Sequence, residues 1–293
     1  MNLDHFGMDT ITLAGTLEQK LGAMKAAGFR QVMVSARDLT SHERGVEAAI
    51  AAVKRSGLRV TGFQVLRDFE GLSGHLHAYK VDVAKAMLKM CHALGADLLL
   101  VSSSTSVHAT GDTDVIANDL AKLAMLAVPL GIRVAYEALS WGRHVNEYPQ
   151  AWDIVERANR SNLGLALDSF HILAMSTTQD ELEYVFADRI FLVQLADFMW
   201  QEIRSPEEKI ITARHFRVFP GEGVHGDDVA ALVRRLDRMG YRGDYSFEVF
   251  NDDYVQLPVD VVAARARKAA GWLSRMRSLP IRPRAVAPPP PGV

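Results

Sequence analysis

The chain has one cysteine in 293 residues, which excludes an internal disulfide and any cysteine-based zinc cluster. Standing alone in a helical stretch, Cys91 reads as a small buried apolar side chain. No apolar run approaches the ~18 residues that a membrane helix needs. The opening MNLDHFGMDT carries no basic patch leading into a hydrophobic segment. An excess of positive charge is missing too. Lys and Arg number 33 against 35 Asp and Glu, a formal net charge of −2, so a nucleic-acid backbone finds no electrostatic footprint. These absences leave a soluble, cytoplasmic protein as the expectation, with no nucleic acid and no membrane among its partners. Proline is sparse until the end, where six of the 11 fall between Pro280 and Val293. Residues 280–293 therefore read as an extended tail, plain or a polyproline-type partner motif, following one domain over 1–279.

What is present is a 48% apolar composition, enough for a sizeable core, arranged as a regular alternation. Short apolar or β-branched runs predict strands at Ile11–Leu13, Gln31–Ser35, Arg59–Leu66, Asp97–Ser102, Ile132–Ala138, Leu163–Asp168, Arg189–Ala196 and Tyr245–Phe250. Segments of helical period follow them. The first opens at Gly15-Thr16, where Thr16 and Gln19 have capping-box spacing, and it stops at Gly28. Others are predicted over 42–54, 76–94, 113–130, 148–158, 180–186, 226–239 and 258–276. Eight strand–helix units make a single (β/α)8 TIM barrel the natural reading. A doubly wound open sheet is the alternative, but the turn after the first strand, LAGTLE, lacks the glycine-rich phosphate fingerprint.

In such a barrel the loops that follow the strands converge at the carboxyl ends, where chemistry is carried out. Strand five ends with Glu137 and strand six with Asp168; strand seven carries Gln194 and strand eight Glu248. Each lies in or just after an apolar run, where an unpartnered carboxylate is costly. Four oxygen-bearing side chains on consecutive strands would face one bowl. They suit a divalent metal cation (Mn2+, Mg2+ or Co2+) with positions open for substrate. The competing reading is that a strand-end acid simply pairs with an arginine. Around the same rim stand Arg67, His144, His215 and Arg217, the residue types that hold anionic, hydroxylated ligands. Arg67 and Arg217 are candidates for gripping a carboxylate or for structural ion pairs. His171, three residues beyond Asp168, is a candidate proton carrier or ligand. His5, His42, His75, His77, His92, His108 and His225 lack ligand spacing and default to surface or packing. Trp141, Phe69 and Phe219 read as apolar wall or core.

Several stretches resemble a known family: Leu66–Gly71 (LRDFEG), Tyr136–Asn146 (YEALSWGRHVN), Leu167–Ile172 (LDSFHI), Phe191–Phe198 (FLVQLADF), His215–Gly223 (HFRVFPGEG) and Ser246–Asp252 (SFEVFND). They are similar to the xylose-isomerase-like TIM-barrel superfamily, and within it to bacterial 3-dehydroshikimate dehydratases, including the barrel half of those fused to a dioxygenase-like domain. The likeness runs from about Thr10 to Asp252. It implies the same metal set, Glu137, Asp168, Gln194 and Glu248, with Arg67, His171 and Arg217 as substrate and proton-transfer residues. The implied reaction is a metal-assisted β-elimination of water from 3-dehydroshikimate, giving protocatechuate, with His171 as base. A sugar isomerase or epimerase would use similar chemistry, with Glu137 and Glu248 moving protons, and a barrel that binds a sugar without turnover is a third possibility. Many members carry a glutamate in the second strand where this chain has Met33. The trinuclear zinc site of endonuclease IV would need histidines that these strand ends do not supply. A small hydroxylated carboxylate or sugar is thus the expected partner, and assembly as a homo-oligomer is compatible with the sequence.

Overall fold

The computed structural model describes residues 4–277. Eight parallel strands close in chain order into a barrel: β1 Phe6–Asp9, β2 Gln31–Ser35, β3 Arg59–Arg67, β4 Leu98–Ser102, β5 Arg133–Glu137, β6 Leu163–Asp168, β7 Ile190–Leu195 and β8 Tyr245–Phe247. Ten α-helices accompany them: α1 Leu17–Ala26, α2 Ala36–Thr40, α3 Gly45–Ser56, α4 Gly74–Leu94, α5 Thr113–Ala127, α6 Tyr148–Ala158, α7 Ser169–Ala174, α8 Pro206–His215, α9 Gly226–Met239 and α10 Val259–Met276. The Pro-rich segment 280–293 lies outside the described residues. Cys91 is fully buried in α4, and burial pushes its thiol up to about 12.

Side-chain alternation along the strands divides the apolar mass into two cores. Met33, Leu98, Leu100, Ala135, Ala166, Phe191 and Leu192 fill the barrel interior, while the larger cluster joins the outer strand faces to the helices. The interior layer fills the barrel beneath the carboxyl ends of the strands. The predicted capping box is present at α1: Thr16 Oγ1 accepts from Gln19 N, and Gln19 Oε1 accepts from Thr16 N.

The first strand is not Ile11–Leu13 but Phe6–Asp9, which pairs Met8 with Val32 and Gly7 with Ser246. The β-branched run instead forms a 3-10 turn at Thr10–Thr12 whose hydroxyls sew the barrel shut. Thr10 Oγ1 accepts from Ser35 N. Thr12 Oγ1 donates to the Phe247 carbonyl and accepts from Val249 N. Those side chains made the turn look like a strand, while Gly7 hid the real one. A Cβ on Gly7 would sit 2.7 Å from Gln31 Cγ, so the close approach of β1 to β2 needs the glycine. Three short helices, α2, α7 and α8, were not foreseen. Ser35, Asp168 and Ser205 cap their starts.

Candidate active site

Glu137 and Asp168 are the last residues of β5 and β6; Gln194 lies near the end of β7, and Glu248 follows β8 directly. Asp168 pairs in register with Gln194, and Gln194 with Ser246. All four side chains are buried. One ligand atom each from Glu137, Asp168 and His171 lie within 4.8 Å of one another.

Arg217, from the loop after β7, reaches into this acidic cluster and is almost fully buried. Its Nη1 donates to Asp168 Oδ2 at 2.6 Å and to Glu248 Oε2 at 3.1 Å, while its Nε donates to the Ala213 carbonyl. The guanidinium lies 4.4 Å from the centre of the Phe170 ring. Arg217 is therefore an ion-pair partner of two strand-end acids, the structural one of its two anticipated roles. Arg67 differs. It lines the cavity above the site, and among the described residues its guanidinium makes no hydrogen bond or ion pair. Arg37 and Arg214 line the same mouth in the same unpaired state. The cavity has a volume of about 670 Å³, with Glu137, Glu248, His171 and Trp141 in its wall.

The electrostatics of this cluster are unbalanced. Burial, then the neighbouring charges of Glu248 and Asp168, raises the Glu137 carboxyl well above its usual range. Burial also raises Glu248, although Arg217 counteracts it. Asp9, fully buried at the end of β1, is raised well above its usual range by burial and by Glu248. Four acids, Asp9, Glu137, Asp168 and Glu248, stand around one buried cation, Arg217, so full ionisation leaves three negative charges to be matched. Three oxygens here, Asp9 Oδ1, Glu137 Oε1 and Gln194 Oε1, are buried with no hydrogen-bond partner. A divalent cation fits both facts: it offsets two of these charges and gives bare oxygens a partner, and an all-oxygen donor set suits a hard ion.

His171 stands beside these acids, with Nε2 3.6 Å from Asp168 Oδ2 and 3.9 Å from Glu137 Oε1. Its Nδ1 accepts the backbone N–H of Ser140 at 3.2 Å. A backbone amide can only donate, so this network puts the proton of the neutral ring on Nε2, facing the acids. Burial pushes the imidazole down to about 3. Ser140 Oγ also lies 3.0 Å from Nδ1, and in this tautomer the nitrogen facing the acids carries a hydrogen that it can donate. Trp141 packs edge-on against its ring at 5.2 Å.

Two anticipated substrate contacts are engaged elsewhere. His144 Nε2 bonds the Ala109 carbonyl at 3.0 Å, and His215 Nδ1 bonds Asp252 at 3.0 Å; neither lines the cavity. Phe69 and Phe219 are core, whereas Trp141 is wall. Met33 is fully buried in the barrel interior. Asp9 and Gln64 were not foreseen. With β1 correctly placed, Asp9 is a strand-end acid and meets the same rule that selected Glu137 and Asp168.

The loop carrying Arg217 is held firmly. Asp197 Oδ1 accepts from the amides of Phe198 and His225, and its Oδ2 from Gly221 N. Asp197 and Val218 also form an antiparallel bridge. Farther along, Glu222 accepts both Nε and Nη2 of Arg265 on α10, and the hydroxyl of Tyr254.

A closed parallel barrel with an acid-lined bowl at the carboxyl ends of its strands is a (β/α)8 barrel with its polar site in the position where that architecture places ligands. The chain belongs to the xylose isomerase-like TIM barrel family, whose model matches residues 21–276. It is 39% identical over 249 residues to a 3-dehydroshikimate dehydratase of Pseudomonas aeruginosa, covering 85% of this chain and 38% of that protein. It is 36% identical over 290 residues to the 3-dehydroshikimate dehydratase of Pseudomonas putida, covering 97% and 45%. The chain thus spans less than half the length of these two relatives. An inosose isomerase of Bacillus licheniformis is 27% identical, with 74% of each chain covered. Among solved structures, a xylose isomerase-like TIM barrel/4-hydroxyphenylpyruvate dioxygenase fusion protein superposes with a TM-score of 0.87 at 35% identity, over 98% of this chain and 46% of that one. No helix among the described residues is long and apolar enough to cross a membrane.

Proposed function

We propose that the chain is a metal-dependent lyase that converts 3-dehydroshikimate to protocatechuate. The carrying observation is the buried group of Glu137, Asp168, Gln194 and Glu248, with its two unpartnered oxygens, beneath a mouth in which the Arg67 guanidinium makes no hydrogen bond or close ion pair. The likeness to two dehydratases at 36–39% identity supports the substrate.

The four residues would hold a divalent ion, Mn2+, Mg2+ or Co2+, which when bound polarises the ketone as a Lewis acid. Arg67 holds the substrate carboxylate as a charge-assisted pair, bidentate where the fork fits. Glu137 takes the proton from the carbon beside the ketone through Oε2, the carboxyl oxygen not assigned to the ion. The electron pair left behind forms the new double bond as the adjacent hydroxyl departs. The proton on Glu137 joins that hydroxide, one water leaves, and the dienone becomes aromatic as a proton passes from the ring methylene to the ketone oxygen. The Nε2–H of His171 donates a hydrogen bond to oxygen as negative charge gathers there. Trp141 covers one side of the imidazole and excludes water from it.

The test is direct. Purified protein with Mn2+, Co2+ or Mg2+ is expected to turn 3-dehydroshikimate into protocatechuate, followed by the rise of its catechol absorbance. No product with any of these metals would overturn the reading. Isomerisation of inosose or a ketose in the same assays would establish the isomerase alternative, which the resemblance to inosose isomerases favours. Metal uptake with no turnover of any of these compounds would leave a binding barrel.

A further inference from the structure

Gln194 is the one neutral member of the group, and an amide presents two unlike ends. Only its oxygen can serve a cation; the –NH2 end would repel one. In the structure Gln194 Nε2 donates to Asp9 Oδ2 at 3.1 Å and to Gln64 Oε1 at 3.3 Å, so both amide hydrogens have acceptors. Oε1 is the opposite end of the same planar group, and it is buried without a partner. Asp9 itself is fully buried at the end of β1, in register with Met33, which belongs to the apolar interior. A carboxyl placed there is costly and contributes no packing that an apolar side chain would not.

We infer that Asp9 is a positioning residue: by accepting from Nε2 it fixes the Gln194 amide with its oxygen presented to the acid cluster. This rests on the proposed metal site. Without Asp9, Gln64 alone opposes a 180° turn of the amide that would put N–H groups where an oxygen donor is required. Outer contacts that orient a ligand commonly matter 10–100-fold in metal affinity.

The experiment measures Mn2+ affinity by titration calorimetry, with circular dichroism to verify folding, for the wild type, Asp9→Ala, Asp9→Asn, Gln194→Ala and Asp9→Ala/Gln194→Ala. Asp9→Ala is expected to weaken Mn2+ binding about 10–100-fold. In the Gln194→Ala background the same change is expected to have no further effect, because its route to the ion is gone. Asp9→Asn keeps an oxygen that can accept from Nε2 and is expected to restore most of the affinity. A role in folding alone would lower thermal stability and leave the affinity of the folded protein unchanged. Wild-type affinity in Asp9→Ala, or an equal loss in both backgrounds, overturns the inference while leaving the metal site intact. Should Asp9→Ala not fold, Asp9→Asn decides: a folded variant with a 100-fold loss shows that charge, and not the amide hydrogen bond, is what matters. A wild-type chain that takes up no Mn2+ removes the site, and the role of Asp9 with it.

Discussion

The contact between the Ser140 amide and His171 Nδ1 sets the protonation state of the site at the scale of one residue. The buried imidazole has its pKa pushed down to about 3, chiefly by burial, against about 6.5 in an unfolded chain. Below pH 6.5 the unfolded chain takes up a proton that the folded chain refuses. The stability tied to this group is therefore complete above pH 6.5 and is lost as the pH falls toward 3. His171→Gln removes that titration. The wild type is expected to lose about 2 kcal/mol more than His171→Gln between pH 7 and pH 5, measured by urea unfolding at the two values. Parallel losses in both proteins would show that the ring is already charged in the fold. Arg67 and Arg217 make the complementary point. Both are rim arginines in sequence, but one is locked between two acids and the guanidinium of the other makes no hydrogen bond or close ion pair, a distinction set by three-dimensional neighbours alone.

Among the elements, the helices with strong apolar periodicity and a left-handed stop, Asn159 or Gly240, were legible almost to the residue. Tyr148–Ala158 and Gly226–Met239 are predicted and observed with the same limits, as is the strand Leu163–Asp168. What could not be read was shorter than a periodic pattern. Phe6–Asp9 is four residues with a glycine inside, and α7 is a six-residue turn set by the Asp168 cap. Glu137, Asp168, Gln194 and Glu248 were legible as strand-end polar groups. Asp9 was not, because its strand was displaced; His144 and His215 misled because sequence shows that a histidine is in a loop but not which way it turns. Gly164 illustrates a constraint invisible to pattern. A Cβ there would meet the Arg189 carbonyl oxygen at 2.4 Å, a backbone atom that cannot swing aside. Gly164→Ala is expected to force β6 from β7 and cost about 2–4 kcal/mol, seen as a lowered urea midpoint. A midpoint equal to that of the wild type would mean that the two strands separate freely.

For the molecule as a whole, the acids gathered at one end are a liability that a bound cation would relieve. An ion that binds only the folded chain stabilises it by mass action, about 2.7 kcal/mol at a hundredfold excess over its dissociation constant. For a chain of this size that amounts to a rise in Tm of about 4–5 °C. Adding Mn2+ is expected to raise Tm by that amount, EDTA to reverse the rise, and Glu248→Gln to abolish most of it, all read by scanning calorimetry. An unmoved transition would argue against a cation in the bowl. The tether from Glu222 to Arg265 and Tyr254 extends the same logic across the barrel. Because α10 grips the segment that delivers Arg217, peeling away that outermost cylinder would also release the guanidinium from its two acids. A loosened α10 would thus be felt at Asp168 and Glu248.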